Sequence, residues 1–267
     1  MKLQRISSFV LAGLLLLCLI PVVHGDESTD LTNMAIVLIN NGSGDYQRAI
    51  GLIDRALAIN SSAFGGRTYA LELKSYAQIQ MGNYTAALET VNEGLAYEES
   101  APLWNNKGFI SYKMGDYSAA VESYDRALTV DPTFTVAMLN KGNALMEMKK
   151  YQDAVDAYTR AFEMDREAND LSFSQQVKTW NNVGDAYYNL GKYTESSAAF
   201  EKALAIEPGN TTATAGLAMA QQKAQSASFL TIGGLVTGIV VCGIAAFYLF
   251  RKKQDATQKR PSKKSKK

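Results

Sequence analysis

Hydrophobic positions along the 267-residue chain follow two patterns. Near each end they are contiguous, from Phe9 to Ile20 and from Phe229 to Phe250. Between those runs they recur at helical spacing and are punctuated by a glycine–tyrosine turn, the pattern of amphipathic helices joined in pairs. Gly44-Asp45-Tyr46, Gly82-Asn83-Tyr84, Gly115-Asp116-Tyr117 and Gly191-Lys192-Tyr193 match one another, and Lys149-Lys150-Tyr151 is a degenerate fifth. Successive tyrosines are 38, 33, 34 and 42 residues apart. Three residues after each stands Ala49, Ala87, Ala120, Ala154 or Ser196, and seven further on Ala56, Gly94, Ala127, Ala161 or Ala203. A large apolar residue follows: Leu57, Leu95, Leu128, Phe162 or Leu204. Upstream, Trp104, Met138 and Trp180 precede Gly108, Gly142 and Gly184 by four, and Asp131-Pro132 and Glu207-Pro208 close two of the units.

These columns have physical reasons. Ala120 and Ala127 are seven apart and share one helix face. Gly108 is expected to face a closely crossing helix, where a Cβ would push the two apart. Trp104 and Tyr124 fill the gaps beside the small residues. Pro132 stops its helix because it cannot continue the hydrogen-bond ladder. No single unit can bury its apolar face alone, so the units must stack.

A unit of about 34 residues with these columns resembles the tetratricopeptide repeat, a helix–turn–helix. The best copies are 101–134, with Trp104, Gly108, Ala120, Tyr124, Ala127 and Pro132, and 177–210, with Trp180, Gly184, Tyr187, Phe200, Ala203 and Pro208. Repeat 135–168 keeps Gly142, Ala154, Tyr158 and Ala161 but has Arg166 where proline is usual; 68–100 and 30–63 lack the tryptophan and the first-helix glycine. The resemblance implies an all-α fold: a right-handed α-solenoid of about five hairpins, with residues 211–228 as a closing helix. Two insertions break the period. Phe64–Arg67 is expected to form a flexible turn at Gly65-Gly66. Asn169–Gln176 is expected to lengthen the flanking helices around a short loop, with Ser172 or Ser174 as the next N-cap.

The terminal runs set the topology. Residues 1–25 read as a signal peptide: Lys2 and Arg5, an apolar stretch ending at Pro21, then Val23 and Gly25 before a cut at Asp26. An uncleaved signal anchor is the other reading. Leu17 before Cys18 disfavours a lipoprotein, which wants a small residue there. Residues 229–250 are uncharged and span about 33 Å as a helix, enough for a bilayer core. Phe247, Tyr248 and Phe250 suit the interface, and Arg251, Lys252 and Lys253 hold the basic tail 251–267 in the cytoplasm. The expected product is a single-pass cell-membrane protein with its domain, 26–228, outside the cytoplasm. Gly234, Gly238 and Cys242, continued by Ala246, form a small-residue ridge that suits a homodimer face, although glycine is common in membrane helices generally. The tail suits anionic lipid. It has no aromatic residue to stack on bases, so no nucleic-acid partner is expected. Four glycosylation sequons, Asn41, Asn60, Asn83 and Asn210, all fall in the external part.

Charge and rare residues narrow the function. Of 27 basic and 26 acidic residues, eleven basic and one acidic lie outside 26–228, leaving a domain of net charge −9. That charge fits a basic partner and fits plain solubility equally. Both cysteines, Cys18 and Cys242, lie in the apolar runs, and the one histidine is His24. Residues 26–228 therefore hold no disulfide, no Cys/His zinc site and no imidazole-activated nucleophile. No cofactor or metal is implied.

In the resembled family the first helix of each pair lines an inner groove. By register this places Tyr76, Ile79, Asn105, Phe109, Tyr112, Asn143, Met146, Asn181, Asp185 and Tyr188 there. Rings offer area and amides bond a peptide backbone. The family's two-carboxylate clamp needs lysine, asparagine and arginine at set positions; Lys113 and Lys178 are isolated, which disfavours chaperone-tail binding. The expected function is a non-catalytic scaffold that binds protein or peptide segments of envelope or secretion assemblies. The alternative is a carboxylate-dependent glycan-processing enzyme on the cell surface, with Asp185 and Glu147 as the nearest candidates.

Overall fold

The computed structural model describes residues 27–41, 44–59, 66–168 and 171–228, together with residue 247. The signal peptide, Asn60, the apolar run 229–250 with its glycine ridge (residue 247 apart) and the basic tail lie outside the described residues. Among the described residues every regular element is a helix, and none is long and apolar enough to cross a membrane.

Two compact units divide at Asp170 and Leu171. The first holds four hairpins: α1 (Glu27–Asn40) with α2 (Tyr46–Ala58), α3 (Gly66–Gln80) with α4 (Tyr84–Tyr97), α5 (Ala101–Lys113) with α6 (Tyr117–Val130), and α7 (Thr135–Glu147) with α8 (Tyr151–Ala168). α2, α4 and α6 also pack on the first helix of the next hairpin, and neighbouring first helices touch. This is tetratricopeptide-type solenoid packing. The second unit holds α9 (Phe173–Asn189), α10 (Tyr193–Ile206) and α11, the helix over 211–228.

The glycine–tyrosine turns end the first helices. Gly115, at φ +83°, donates its N–H to the Tyr112 carbonyl at 3.1 Å, and Asp116 donates to Ser111 at 2.9 Å. This pair of bonds is the Schellman arrangement, which needs a left-handed residue. Lys149 makes the same bonds at φ 58° with a side chain that disfavours this conformation. Lys149→Gly is expected to raise stability by about 0.5–1 kcal/mol, strain relief outweighing the entropy of the added glycine; thermal unfolding of the two proteins checks it.

Helix boundaries follow local chemistry. Pro132 lies just past α6, which stops at Val130. With Arg166 in the proline position, α8 runs on to Ala168 and reaches 18 residues. Ser172 then caps α9 by accepting from the Gln175 N–H, and the Gln175 side chain accepts from Ser172 in return. The longer insertion is thus taken up in part by α8 and α9, of 18 and 17 residues, with residues 169–170 outside the described ones. One boundary differs from expectation. The first hairpin begins at Glu27, three residues before Asp30: five residues separate α1 from α2 where three separate the helices of the other hairpins, and α1 is one residue longer than α5. The longer turn shifts α1 back along the chain by two residues. At the other insertion, Gly66 opens α3 at φ +81°.

The first-helix glycines make room for a ring. A Cβ on Gly108 would lie 2.6 Å from Tyr124 Cε1, one on Gly142 2.5 Å from Tyr158 Cε1, and one on Gly184 2.7 Å from Phe200 Cε1. All three rings are at most 1% exposed. The glycine does face a close partner helix, as the sequence suggested, and the atoms a Cβ would meet are those of that helix's aromatic side chain. Where that residue is smaller, the glycine is dispensable: Ser75 stands with Val91, and Ala35 with Ile53.

Candidate peptide-binding face

Three first helices of the first unit present the side chains expected in a groove. Tyr76 on α3 is 42% exposed. Phe109 and Tyr112 on α5, and Asn143 and Met146 on α7, are half-buried. Tyr112 donates its phenol to Glu147 Oε1 at 3.3 Å and sets its ring edge-on to Tyr117, with centroids 5.4 Å apart. Burial first, then the Glu147 carboxylate, raises its phenol above the ordinary tyrosine range, so it stays a neutral donor. The Lys113 ammonium stands 5.2 Å from the Phe109 ring centre. Asn143 accepts from the Tyr158 hydroxyl at 2.8 Å, which fixes the orientation of its amide.

Other expected positions serve the stack instead. Ile79 is 6% exposed and packs with Ala87, Val91, Leu103 and Ile110. It occupies the Tyr112 position, but its shorter side chain stays beneath the neighbouring hairpin. Asn181 is 7% exposed, and its amide donates to Asn210 Oδ1 at 3.2 Å. Asn105 accepts from the Asn140 amide at 2.9 Å. Both lie eight residues before the end of their helix, a position that faces the next hairpin or closing helix. In the second unit Tyr188 sets its ring edge-on to Tyr193 at 5.4 Å, as Tyr112 does to Tyr117. Asp185 is exposed at its surface, yet partial desolvation raises its carboxyl above the usual range.

Among the sequons, Asn41 and Asn83 are exposed in hairpin turns. Asn210 has its amide nitrogen committed to Glu207 at 2.9 Å, while its oxygen caps α11 through Ala213 N–H at 2.8 Å.

Sequence reasoning missed a polar seam between the second and third hairpins. Asn106 donates to Ser75 Oγ at 2.9 Å, and the Ser100 hydroxyl donates to the Glu72 carboxylate. The signal was a polar residue at the Asn105 or Asn106 position of successive repeats. Burial is the main cause that raises the Glu72 carboxyl; Glu98 adds to it and the Ser100 bond opposes it. A raised folded-state value means the native protein holds this proton more tightly than the unfolded chain. The stabilisation is present below the unfolded carboxylate range and is lost as pH rises through the folded value. Glu72→Gln is therefore expected to raise the melting temperature at pH 7, with the difference closing as pH falls towards about 4; melting curves across that range check it.

Among the described residues no group of three His, Cys, Asp or Glu side chains could hold a metal ion. The geometry defines an all-α repeat domain of the protein-interaction type. The tetratricopeptide-repeat family profiles match residues 101–134 and 133–206, so these segments are tetratricopeptide repeats. Solved structures share the fold. MamA is 18% identical with a TM-score of 0.53, over 68% of this chain and 92% of that one. YrrB, described as a TPR protein with an unusual peptide-binding site, is 20% identical with a TM-score of 0.52, over 69% and 88%. A tetratricopeptide repeat protein from Parabacteroides merdae is 17% identical with a TM-score of 0.56, over 75% of each chain. Comparison with curated proteins gave no match.

Proposed function

We propose that the protein is a non-catalytic scaffold, tethered to the outer face of the cell membrane by residues 229–250, that captures an extended or helical segment of an extracytoplasmic protein. The observation that carries this reading is the face formed by Tyr76, Phe109, Tyr112, Asn143 and Met146. Its rings are partly open, and its amide and phenol are oriented by Tyr158 and Glu147. Rings held at low conformational cost suit peptide capture. YrrB, of like fold, is itself described as carrying a peptide-binding site. The uncharged run 229–250 and the basic residues after it support the tether and its orientation. Exposed Asn41 and Asn83 suit external modification.

The double variant Tyr76→Ala/Tyr112→Ala is expected to lose about tenfold or more in captured partner while its helical circular dichroism is unchanged. The readout is crosslinking and co-purification of the full-length protein from intact cells. Capture at the wild-type level by a folded double variant removes this face from the account. The glycan-processing alternative would rest on Asp185. Turnover of cell-wall glycans that vanishes in Asp185→Ala would establish it and displace the scaffold.

A further inference from the structure

Counting back from the last helical residue aligns the four first helices of the first unit. Six residues back, α3, α5 and α7 carry Lys74, Lys107 and Lys141. These reach the preceding hairpin at Asp54 (2.7 Å), Asn92 (3.2 Å) and Asp125 (2.6 Å). Three residues back they carry Ala77, Ile110 and Ala144, all fully buried. By this face each hairpin sits on the one before it. In α1 the same two positions are Met34 and Val37, 52% and 56% exposed. With Asn33, Leu38, Arg48 and Leu52 they line an apolar pocket of about 300 Å³.

Terminal repeats ordinarily turn a polar face to water. In the second unit α11 does so, its exposed positions being mainly Thr, Gln, Lys and Ser. The outer face of α1 does the opposite: the lysine that would seek an acid is replaced by a thioether, and the fully buried apolar residue by an exposed valine.

We propose that this face is a homotypic interface, with α1 of one copy packed antiparallel on α1 of a second copy about a two-fold axis beside Met34 and Val37. Charge selects a second copy as the occupant. Asp30 is exposed one turn before Met34, about 8 Å along the helix from the axis at ~1.5 Å per residue. Arg48, in the first turn of α2 and so across the hairpin from the C-terminal half of α1, lines the pocket, its side chain 67% exposed and paired with Asp45 only at 3.8 Å. A two-fold interface brings each patch against its own copy, so each Asp30 meets the other copy's Arg48. A foreign apolar helix would fill the pocket; a second copy also matches both charges by symmetry.

The test uses the full-length protein in detergent, with mass read by sedimentation. A dimer is expected. Asp30→Arg and Arg48→Asp are each expected to weaken it by about tenfold or more, since each substitution acts twice, and the double swap is expected to restore it. All these positions are exposed, so folding should survive, and circular dichroism checks that. With Cys18 and Cys242 replaced by serine, Val37→Cys should oxidise to a covalent dimer, and the similarly exposed Met219→Cys should not. A monomer at about 100 μM, well above common dimer affinities, overturns the proposal. So does a dimer that ignores both charge reversals, or one lost only when Gly234 and Gly238 are replaced.

Discussion

Phe200→Ala is expected to destabilise the second unit by about 3–5 kcal/mol, the range for emptying a buried aromatic site. The ring is 1% exposed and is gripped from two sides. A Cβ on Gly184 of α9 or on Gly216 of α11 would strike it. It packs with Val177, Ala203 and Ala213, so it joins the hairpin to its closing helix. The loss should appear as faster hydrogen exchange throughout α9, α10 and α11. Exchange that rises only beside residue 200 would mean the site collapses around the gap.

Gly108→Ala is expected to cost about 2–3 kcal/mol, because its new Cβ would lie 2.6, 2.7 and 2.9 Å from three atoms of the Tyr124 ring. The ring has no free direction: it packs with Ala120, Ala127, Ala137 and Ala144. The second hairpin shows the remedy, a non-glycine residue, Ser75, with the smaller Val91. Tyr124→Val alone should also destabilise, by leaving a cavity. Together the two substitutions should cost less than the sum of the singles by about 1–2 kcal/mol, since the Cβ enters vacated space. Chemical denaturation of the four proteins measures the cycle; strict additivity would show that ring and glycine are not in contact.

The sequence revealed those parts of the fold that turn on one residue at a time. The glycine turns, the alanine columns and Pro132 each act locally, so hairpins, helix stops and the lengthened α8 could be read from them. The two-residue shift of α1 could not, because aligning on Tyr46 hides a longer turn upstream of it. The pairing of Gly108 with Tyr124 depends on residues 16 apart; it becomes visible only when the Gly–aromatic pairs are set beside Ser75–Val91 and Ala35–Ile53. The candidate face was legible as a register but not as exposure. Tyr112 and Ile79 share a register position, and side-chain length alone decides that one is half-open and the other buried. Asn105 and Asn181 looked free because their partners, Asn140 and Asn210, belong to the next element of the stack.

Capture of an external protein by the face around Tyr112 is the central claim, and photo-crosslinking from that position in intact cells tests it most directly. A photoreactive residue at position 112 should give discrete adducts with an extracytoplasmic protein, and one at exposed Glu122 on α6 should not. No adduct from 112, equal adducts from both positions, or adducts with cytoplasmic proteins would contradict the account.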